Sequence, residues 1–444
     1  MTTALRTDRY ELTMVEAALR SGRGGRDCVF EVFGRRLPGE RRYGVLAGTG
    51  RVLDAITDFR FGLAELDWLA DEHVVDEATL AFLADYRFTG QVEGYREGEI
   101  YMPGSPVLTV RGTFAEAVLL ETIVLSVLNY DTAVATAAAR MVAAADGHPV
   151  AEMGSRRANE SAAVAAARAA YIAGFSATSN LEAGRTWGIP TMGTAAHAFT
   201  LLHDSEEDAF RAQVAALGSG TTLLVDTYDV RAGVETAVRV AGPSLGGVRL
   251  DSGDLPALVR EVRAQLDALG ATGTRITVTS DLDEHMIAAL RGTPVDTFGV
   301  GTAVVTGSGF PAAGFVYKLV ARSDGHVSVA GGGEWMPVAK TSTGKASIGG
   351  AKRAERLLRG GVAVAERIIV DDDRDGLPEA ATPADLTARP LTVPLMRDGE
   401  ADAHWLGADG VRAAREHCAT ATAELPAAAL RLSRGEPALP TLSV

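Results

Sequence analysis

Cysteine and lysine are both scarce in this chain. Of 444 residues only two are cysteine, Cys28 and Cys418, too few for a disulfide framework or a four-thiolate zinc site. Lysine occurs at four positions in a chain with 43 basic residues, and aromatic residues make up only 6%. No run of eighteen apolar residues is present to span a membrane. The first residues, MTTALRTDRYELTM, lack the apolar core and cleavage site of a secretory signal, so a cytosolic protein is expected. The eight histidines include no HExxH or i,i+4 pair, which argues against zinc-hydrolase chemistry. No GxxxxGK[ST] segment occurs, so any nucleotide is held by a scheme other than a Walker A loop.

What remains is the composition of a globular protein, 47% hydrophobic and 23% charged, long enough for two or three domains. The net charge of −14 makes nucleic acid and anionic membrane poor partners. An anionic ligand would need positive charge gathered locally. The four lysines, Lys318, Lys340, Lys345 and Lys352, all fall within 318–352 while arginine serves every other basic position. Chance clustering and a phosphate-binding device both fit this pattern.

Residues 1–130 read as mixed α/β structure, with a helix near 11–21, strands around 28–33 and a helical stretch over 115–141. From 131 to 356 short β-branched runs alternate with helical segments. The runs end near Gly154, Thr178, Thr194, Asp226, Asp251, Ser280 and Gly301. About seven βα units in succession predict an irregular (β/α) barrel, with a doubly wound sheet as the alternative. Residues 357–444 lose this rhythm and are expected to complete a second, smaller α/β domain with the N-terminal region.

A barrel collects its active site at the C-terminal ends of its strands, and the polar residues of this chain sit there. His197 follows GIPTMGTAA; it reads as a general base, a metal ligand, a phosphorylated nucleophile or a packed core histidine. Asp226, Asp229, Asp251, Asp254, Asp281 and Asp283 end three successive strands. Such carboxylates hold Mg²⁺, bind ribose hydroxyls or stabilise a developing cation, and about half are expected to be helix caps instead. Arg249 lies inside the apolar run GGVRLDSG, where an unpaired charge is costly, and Arg156 follows the first barrel strand. FGVGT (298–302) offers backbone N–H groups to a phosphate. The segment 340–356 interleaves three lysines with Gly, Ser and Thr, as a mobile phosphate-binding loop would.

The ordered set TDRYELTM, GSRRA, ATSN, GTAAH, VDTYD, VRLDSGDL, TSDLDE, FGVGT and YKLV, with the lysine segment, spans residues 7–356 and resembles the nicotinate phosphoribosyltransferases. The resemblance implies transfer of the phosphoribosyl group of 5-phosphoribosyl 1-diphosphate (PRPP) to nicotinic acid, giving nicotinate mononucleotide and diphosphate. It also implies coupled ATP hydrolysis through a phosphohistidine at His197, with Mg²⁺ on the substrate phosphates. Residue by residue, it implies that Tyr10 contacts the pyridine ring across a homodimer interface. Thr194 and Arg249 hold nicotinate with Arg156 nearby, and Asp251 favours the oxocarbenium-like charge. Asp226, Asp281, Gly301 and Thr302 serve PRPP, and Lys345 and Lys352 cover a phosphate. Met153 stands where relatives often carry an aromatic residue, and the C-terminal cysteines that bind metal in some relatives are missing, so no structural zinc is expected. Rival readings are a nicotinamide- or quinolinate-using relative, a barrel aldolase, and a catalytically silent ligand sensor.

Overall fold

The computed structural model describes residues 2–324, 335–342, 347–371 and 382–444. The chain forms two units: Ala137–Gly309, and a unit built from both chain ends, Met1–Thr136 with Phe310–Val444.

In the first of these, Val150–Glu152, Ala177–Thr178, Thr222–Leu224, Gly247–Leu250, Arg275–Val278 and Thr297–Val300 form one wholly parallel sheet. A single parallel bridge joins Thr191 to Thr178 and marks a seventh strand position. The sheet thus has two ends, at the Thr191 bridge and at Thr222–Leu224, which is the irregularity of the expected barrel. Each expected strand end lies at or within three residues of an observed one. The reason is local: runs such as VRL and ITV favour strand by β-branching, and the polar residues after them begin turns or cap helices. Asn159, Asn180, Ser205, Asp229 and Asp283 each accept a hydrogen bond from a backbone amide in the first turn of the helix that follows. Asp229 and Asp283 are therefore caps, the plainer of the two roles open to the strand-end carboxylates.

The unit of the chain ends carries more of the sequence than the barrel does. Its main sheet runs, in spatial order, Trp335–Pro337, Phe315–Ser323, Asp27–Gly34, Leu108–Thr113, Gln91–Tyr95, Thr392–Arg397 and Glu400–Ala401. Phe315–Ser323 pairs antiparallel with Asp27–Gly34, so the chain leaves the barrel at Phe310 and not at the expected 357. A second sheet contains Thr387–Pro390, Ala351–Arg359, Val362–Asp371 and Thr441–Ser443. Apolar side chains including Val15, Val32, Leu53, Leu83, Val110, Val124 and Leu395 fill one core beside the main sheet.

The helical stretch expected over 115–141 is two helices, Phe114–Val118 and Glu121–Ala145. The longer one is apolar and long enough to cross a membrane by length and composition, but 72% of its most apolar stretch is buried inside the protein, as in a core helix. Both cysteines are free and buried, and burial pushes the Cys28 thiol up to about 12, far from a reactive thiolate.

Candidate active site

Four strand ends of the barrel unit converge on one group of side chains. His197 opens the short helix His197–Leu202. Its Nδ1 lies 3.1 Å from the Thr227 hydroxyl. Its Nε2 faces two carboxylates, Asp251 Oδ2 at 3.8 Å and Asp226 Oδ1 at 4.0 Å. Asp226 is anchored through its other oxygen, Oδ2, which accepts from the Asp251 amide and the Ser252 hydroxyl, both at 2.8 Å. Its Oδ1 is buried and has no hydrogen-bond partner. Asp251 Oδ1 in turn accepts from the Thr279 hydroxyl. The histidine is thus held at one nitrogen and left open at the other.

Arg249 projects from Gly247–Leu250 and donates from Nη1 to Thr194 Oγ1 at 2.5 Å. Its Nε is buried without a hydrogen-bond partner. Burial lowers the guanidinium pKa; the charges of Asp251 and Asp226 oppose that shift, and Arg156 adds to it. A second cation on the turn Ser155–Arg157 therefore acts on the same spot. An anion with two oxygens in a plane would satisfy the guanidinium and relieve its repulsion with Arg156.

Negative charge is crowded a short way off. The carboxyl of Glu206 is raised by burial, then by Asp229 and Asp226, and its Oε1 is buried without a partner. Among the described residues no group of three or more His, Cys, Asp and Glu is arranged to hold a metal ion. The unpartnered Asp226 Oδ1 beside Asp251 is nevertheless hard-oxygen chemistry of the kind Mg²⁺ takes when substrate phosphates and water complete its shell.

The N-terminal residues 5–129 match the family model described as the nicotinate phosphoribosyltransferase (NAPRTase) N-terminal domain. A nicotinate phosphoribosyltransferase of Mycobacterium tuberculosis (strain ATCC 25618 / H37Rv) is 54% identical, over 99% of this chain and 95% of its own. One from Bacillus subtilis (strain 168) is 40% identical, over 72% of this chain and 66% of its own. This chain belongs to the nicotinate phosphoribosyltransferase family. The crystal structure of human nicotinic acid phosphoribosyltransferase superposes with a TM-score of 0.80 at 25% identity, covering 99% of this chain and 97% of that one. A nicotinate-nucleotide pyrophosphorylase from Pyrococcus furiosus shares the fold, with a TM-score of 0.76 at 24% identity.

Of the residues singled out in the sequence as a nicotinate phosphoribosyltransferase site, the barrel brings together His197, Asp226, Asp251, Thr194 and Arg249, with Arg156 close enough to act on Arg249 electrostatically. Thr302 is exposed at the start of the short helix Thr302–Val305, and Gly301 precedes it. Asp281 is exposed on the turn after Arg275–Val278, and among the described residues no hydrogen bond or ion pair joins it to the His197 group. Tyr10 belongs to the other unit. It is half-exposed on the helix Arg9–Arg20, and burial, then the charge of Glu121, raise its hydroxyl pKa.

The lysine segment departs from expectation. Lys345 lies outside the described residues. Lys352 is on the strand Ala351–Arg359, with its Nζ 2.7 Å from Glu31 Oε2 and 2.8 Å from the Gly350 carbonyl. Its side chain is 6% exposed and that of Glu31 2%. An ammonium so buried and so fully paired does not cover a phosphate in this structure, and 351–356 is ordered strand where a loop was expected.

Three residues passed over in the sequence belong to the site. Thr227 stands between two aspartates in VDTYD, and Thr279 opens TSDLDE; both segments draw attention for their carboxylates. Glu152 is fully buried and accepts from the Gly154 amide and from Thr178 Oγ1, tying two strand ends together. Its carboxyl is raised by burial, against the lowering effect of those two hydrogen bonds. A glutamate directly after the apolar run PVA was the available signal, since a strand-end carboxylate without a helix to cap must find another partner.

Proposed function

We propose that this chain is an ATP-coupled nicotinate phosphoribosyltransferase. It joins nicotinic acid to PRPP, releases diphosphate and forms nicotinate mononucleotide for NAD salvage. The observation that carries this reading is the pairing of a half-buried, incompletely satisfied Arg249 with the open Nε2 of His197, beside the strand-end carboxylates Asp226 and Asp251. The names of the relatives specify the acid, and an unfilled guanidinium agrees with them by favouring the carboxylate of nicotinate.

In this reading Arg249 and Thr194 fix the nicotinate carboxylate, and Arg156 strengthens the local positive field. Orienting the ring nitrogen toward the anomeric carbon lowers the barrier by removing the entropy of encounter. Asp251 faces the ribose and favours the positive charge that develops as the bond to diphosphate breaks. Gly301 and Thr302 present backbone and hydroxyl donors to the 5-phosphate, with Asp281 at the rim. Mg²⁺ on the substrate phosphates would be held from the protein side by Asp226 Oδ1 and Asp251, and supplies charge neutralisation for the departing diphosphate. His197 Nε2 accepts the γ-phosphoryl group of ATP, and hydrolysis of that phosphohistidine drives the transfer forward. Family resemblance adds a cytoplasmic homodimer in which Tyr10 of the partner subunit meets the pyridine ring.

The deciding assay offers purified protein PRPP and Mg²⁺ with nicotinate or nicotinamide, each with and without ATP. Nicotinate turnover stimulated by ATP, and acid-labile phosphate from γ-labelled ATP on wild type but not on His197→Ala, is the expected result. Turnover of nicotinamide alone removes the acid-specific reading. Equal labelling of the variant, or full ATP stimulation of it, returns His197 to a packing role.

A further inference from the structure

We propose that Thr227 is a positioning residue that decides which ring nitrogen of His197 takes the phosphoryl group. The inference rests on the phosphohistidine reading and extends it to the regiochemistry of the transfer and to the residue that sets it.

The two edges of the imidazole are unlike. Nδ1 is within hydrogen-bond distance of Thr227 Oγ1, at 3.1 Å. Nε2 is 3.8 and 4.0 Å from its nearest carboxylate oxygens, beyond hydrogen-bond length, and the side chain is 39% exposed. Nε2 is the ring nitrogen that no hydrogen bond occupies, so its lone pair is the one left for an incoming phosphorus. Thr227 is itself held in place, because its neighbour Asp226 is bonded to both the Asp251 amide and the Ser252 hydroxyl. Its backbone is therefore tied to the neighbouring strand end through Asp226, while the hydroxyl itself can rotate between donor and acceptor.

A hydroxyl suits this position where a carbonyl or carboxylate would not, since it both donates and accepts. Before transfer the Nδ1–H tautomer donates to Thr227 Oγ1, which leaves the lone pair on Nε2. That pair forms the N–P bond to the γ-phosphorus of ATP. The bond from the phosphorus to the β,γ-bridging oxygen breaks, and its electron pair leaves with ADP. The ring is then cationic and sheds the Nδ1 proton to solvent. The Thr227 hydroxyl turns to donate to the bare Nδ1. An acceptor-only partner would support the first state and oppose the last.

The test compares wild type, Thr227→Val and Thr227→Ser, using γ-labelled ATP with Mg²⁺ and ¹⁵N-histidine-labelled protein whose N–P coupling is read by NMR. Wild type is expected to carry phosphate on Nε2. The Val variant, close in shape but without the hydroxyl, is expected to label about 10- to 100-fold more slowly, by analogy with the loss of the outer partner of a metal-bound histidine. The Ser variant is expected to recover the wild-type site and most of the rate. Wild-type phosphate on Nδ1 overturns the proposal without any variant. So does a folded Val variant that labels Nε2 at the wild-type rate, or a Ser variant as slow as Val. Absence of any label on wild type removes the phosphohistidine reading beneath it, which is a separate and recognisable failure.

Discussion

Arg249 and Thr194 are joined by a 2.5 Å hydrogen bond from Nη1 to Oγ1, while the Arg249 Nε is buried with nothing to donate to. The threonine orients the guanidinium but cannot neutralise it. Burial lowers the arginine's pKa even with Asp251 and Asp226 acting against the shift, so the charge is maintained at a cost that a bound anion would offset.

Arg249→Lys is expected to damage nicotinate use far more than PRPP use. Lysine keeps the charge and loses the planar fork, so the loss should be about 1.5–3 kcal/mol, the range for hydrogen bonds to charged groups. Steady-state kinetics with each substrate varied in turn reads it. An unchanged nicotinate KM would assign the carboxylate to another residue.

The terminal unit holds a second concentration of charge, and it is structural. Glu99 is buried and accepts from Arg389 at 2.7 and 3.2 Å; its Oε2 lies 2.8 Å from His417 Nε2, and Arg356 is 3.9 Å away. Burial alone would raise this carboxyl, but the hydrogen bonds from His417 and Arg389 and the charges of Arg389 and Arg356 bring it down to about 2. A depressed acid stabilises the fold above its unfolded pKa, and that contribution is lost as pH falls from the ordinary carboxylate range toward about 2. Glu99→Gln is therefore expected to destabilise by about 1–3 kcal/mol at pH 7, because it removes the anion shared by Arg389, His417 and the buried Arg356, while Glu424 and Glu366 still pair the two arginines. Denaturant unfolding at pH 7, 4 and 3 should show the gap to wild type narrowing with acid.

The barrel was legible in the sequence because its signals are local. An apolar run of three or four residues followed by a polar segment repeats seven times; those segments hold His197, Asp226 and Asp251, and Arg249 stands out inside one of the runs. What was not legible depends on distant pairing. Phe315–Ser323 reads like one more barrel strand until its antiparallel partner, Asp27–Gly34, is known. Lys352 reads like a loop lysine until Glu31, far back in the chain, is found against it. Thr227 and Thr279 were hidden for another reason: a threonine beside aspartates has ample precedent as a turn residue, and only the fold shows which nitrogen or oxygen its hydroxyl meets.

Glu11 is expected to give the protein a pH dependence of opposite sign. It is buried on the helix Arg9–Arg20, and burial raises its carboxyl to about 7, with hydrogen bonds from Thr122 and Thr7 moderating the shift and Glu121 adding to it. The folded state then binds a proton that the unfolded chain has already released. Its contribution is present below the unfolded pKa and lost as pH rises through about 7. Wild type should lose up to about 3 kcal/mol relative to Glu11→Gln between pH 5 and pH 8. Carboxyl ¹³C titration reads the pKa directly, and a midpoint near the ordinary glutamate value would remove the basis for this expectation.

The last prediction concerns the close approach of two turns at the strand ends. A Cβ added at Gly154 would lie 2.3 Å from Val305 Cγ1, 2.9 Å from the Gly301 carbonyl oxygen and 3.0 Å from Glu152 Oε1. Val305 could rotate away, but Gly301 is backbone and Glu152 is buried and already bonded to the Gly154 amide. The turn bearing Arg156 and the turn bearing Thr302 would have to separate by several tenths of an ångström. Gly154→Ala should therefore destabilise the protein by about 1–3 kcal/mol, the usual range for overpacking. It should also impair the site in a particular way. Gly301 is at this contact and Thr302 is next to it, whereas nicotinate is held by Arg249 and Thr194 and feels the moving turn only through the field of Arg156, so the KM for PRPP is expected to rise more than the KM for nicotinate. Labelling of His197 by γ-labelled ATP should survive in the folded fraction. Thermal unfolding with two-substrate kinetics on the same preparation separates the outcomes: a loss shared equally by both substrates would mean that the substitution only unfolds the barrel, and that Gly154 does not set the spacing of the two turns.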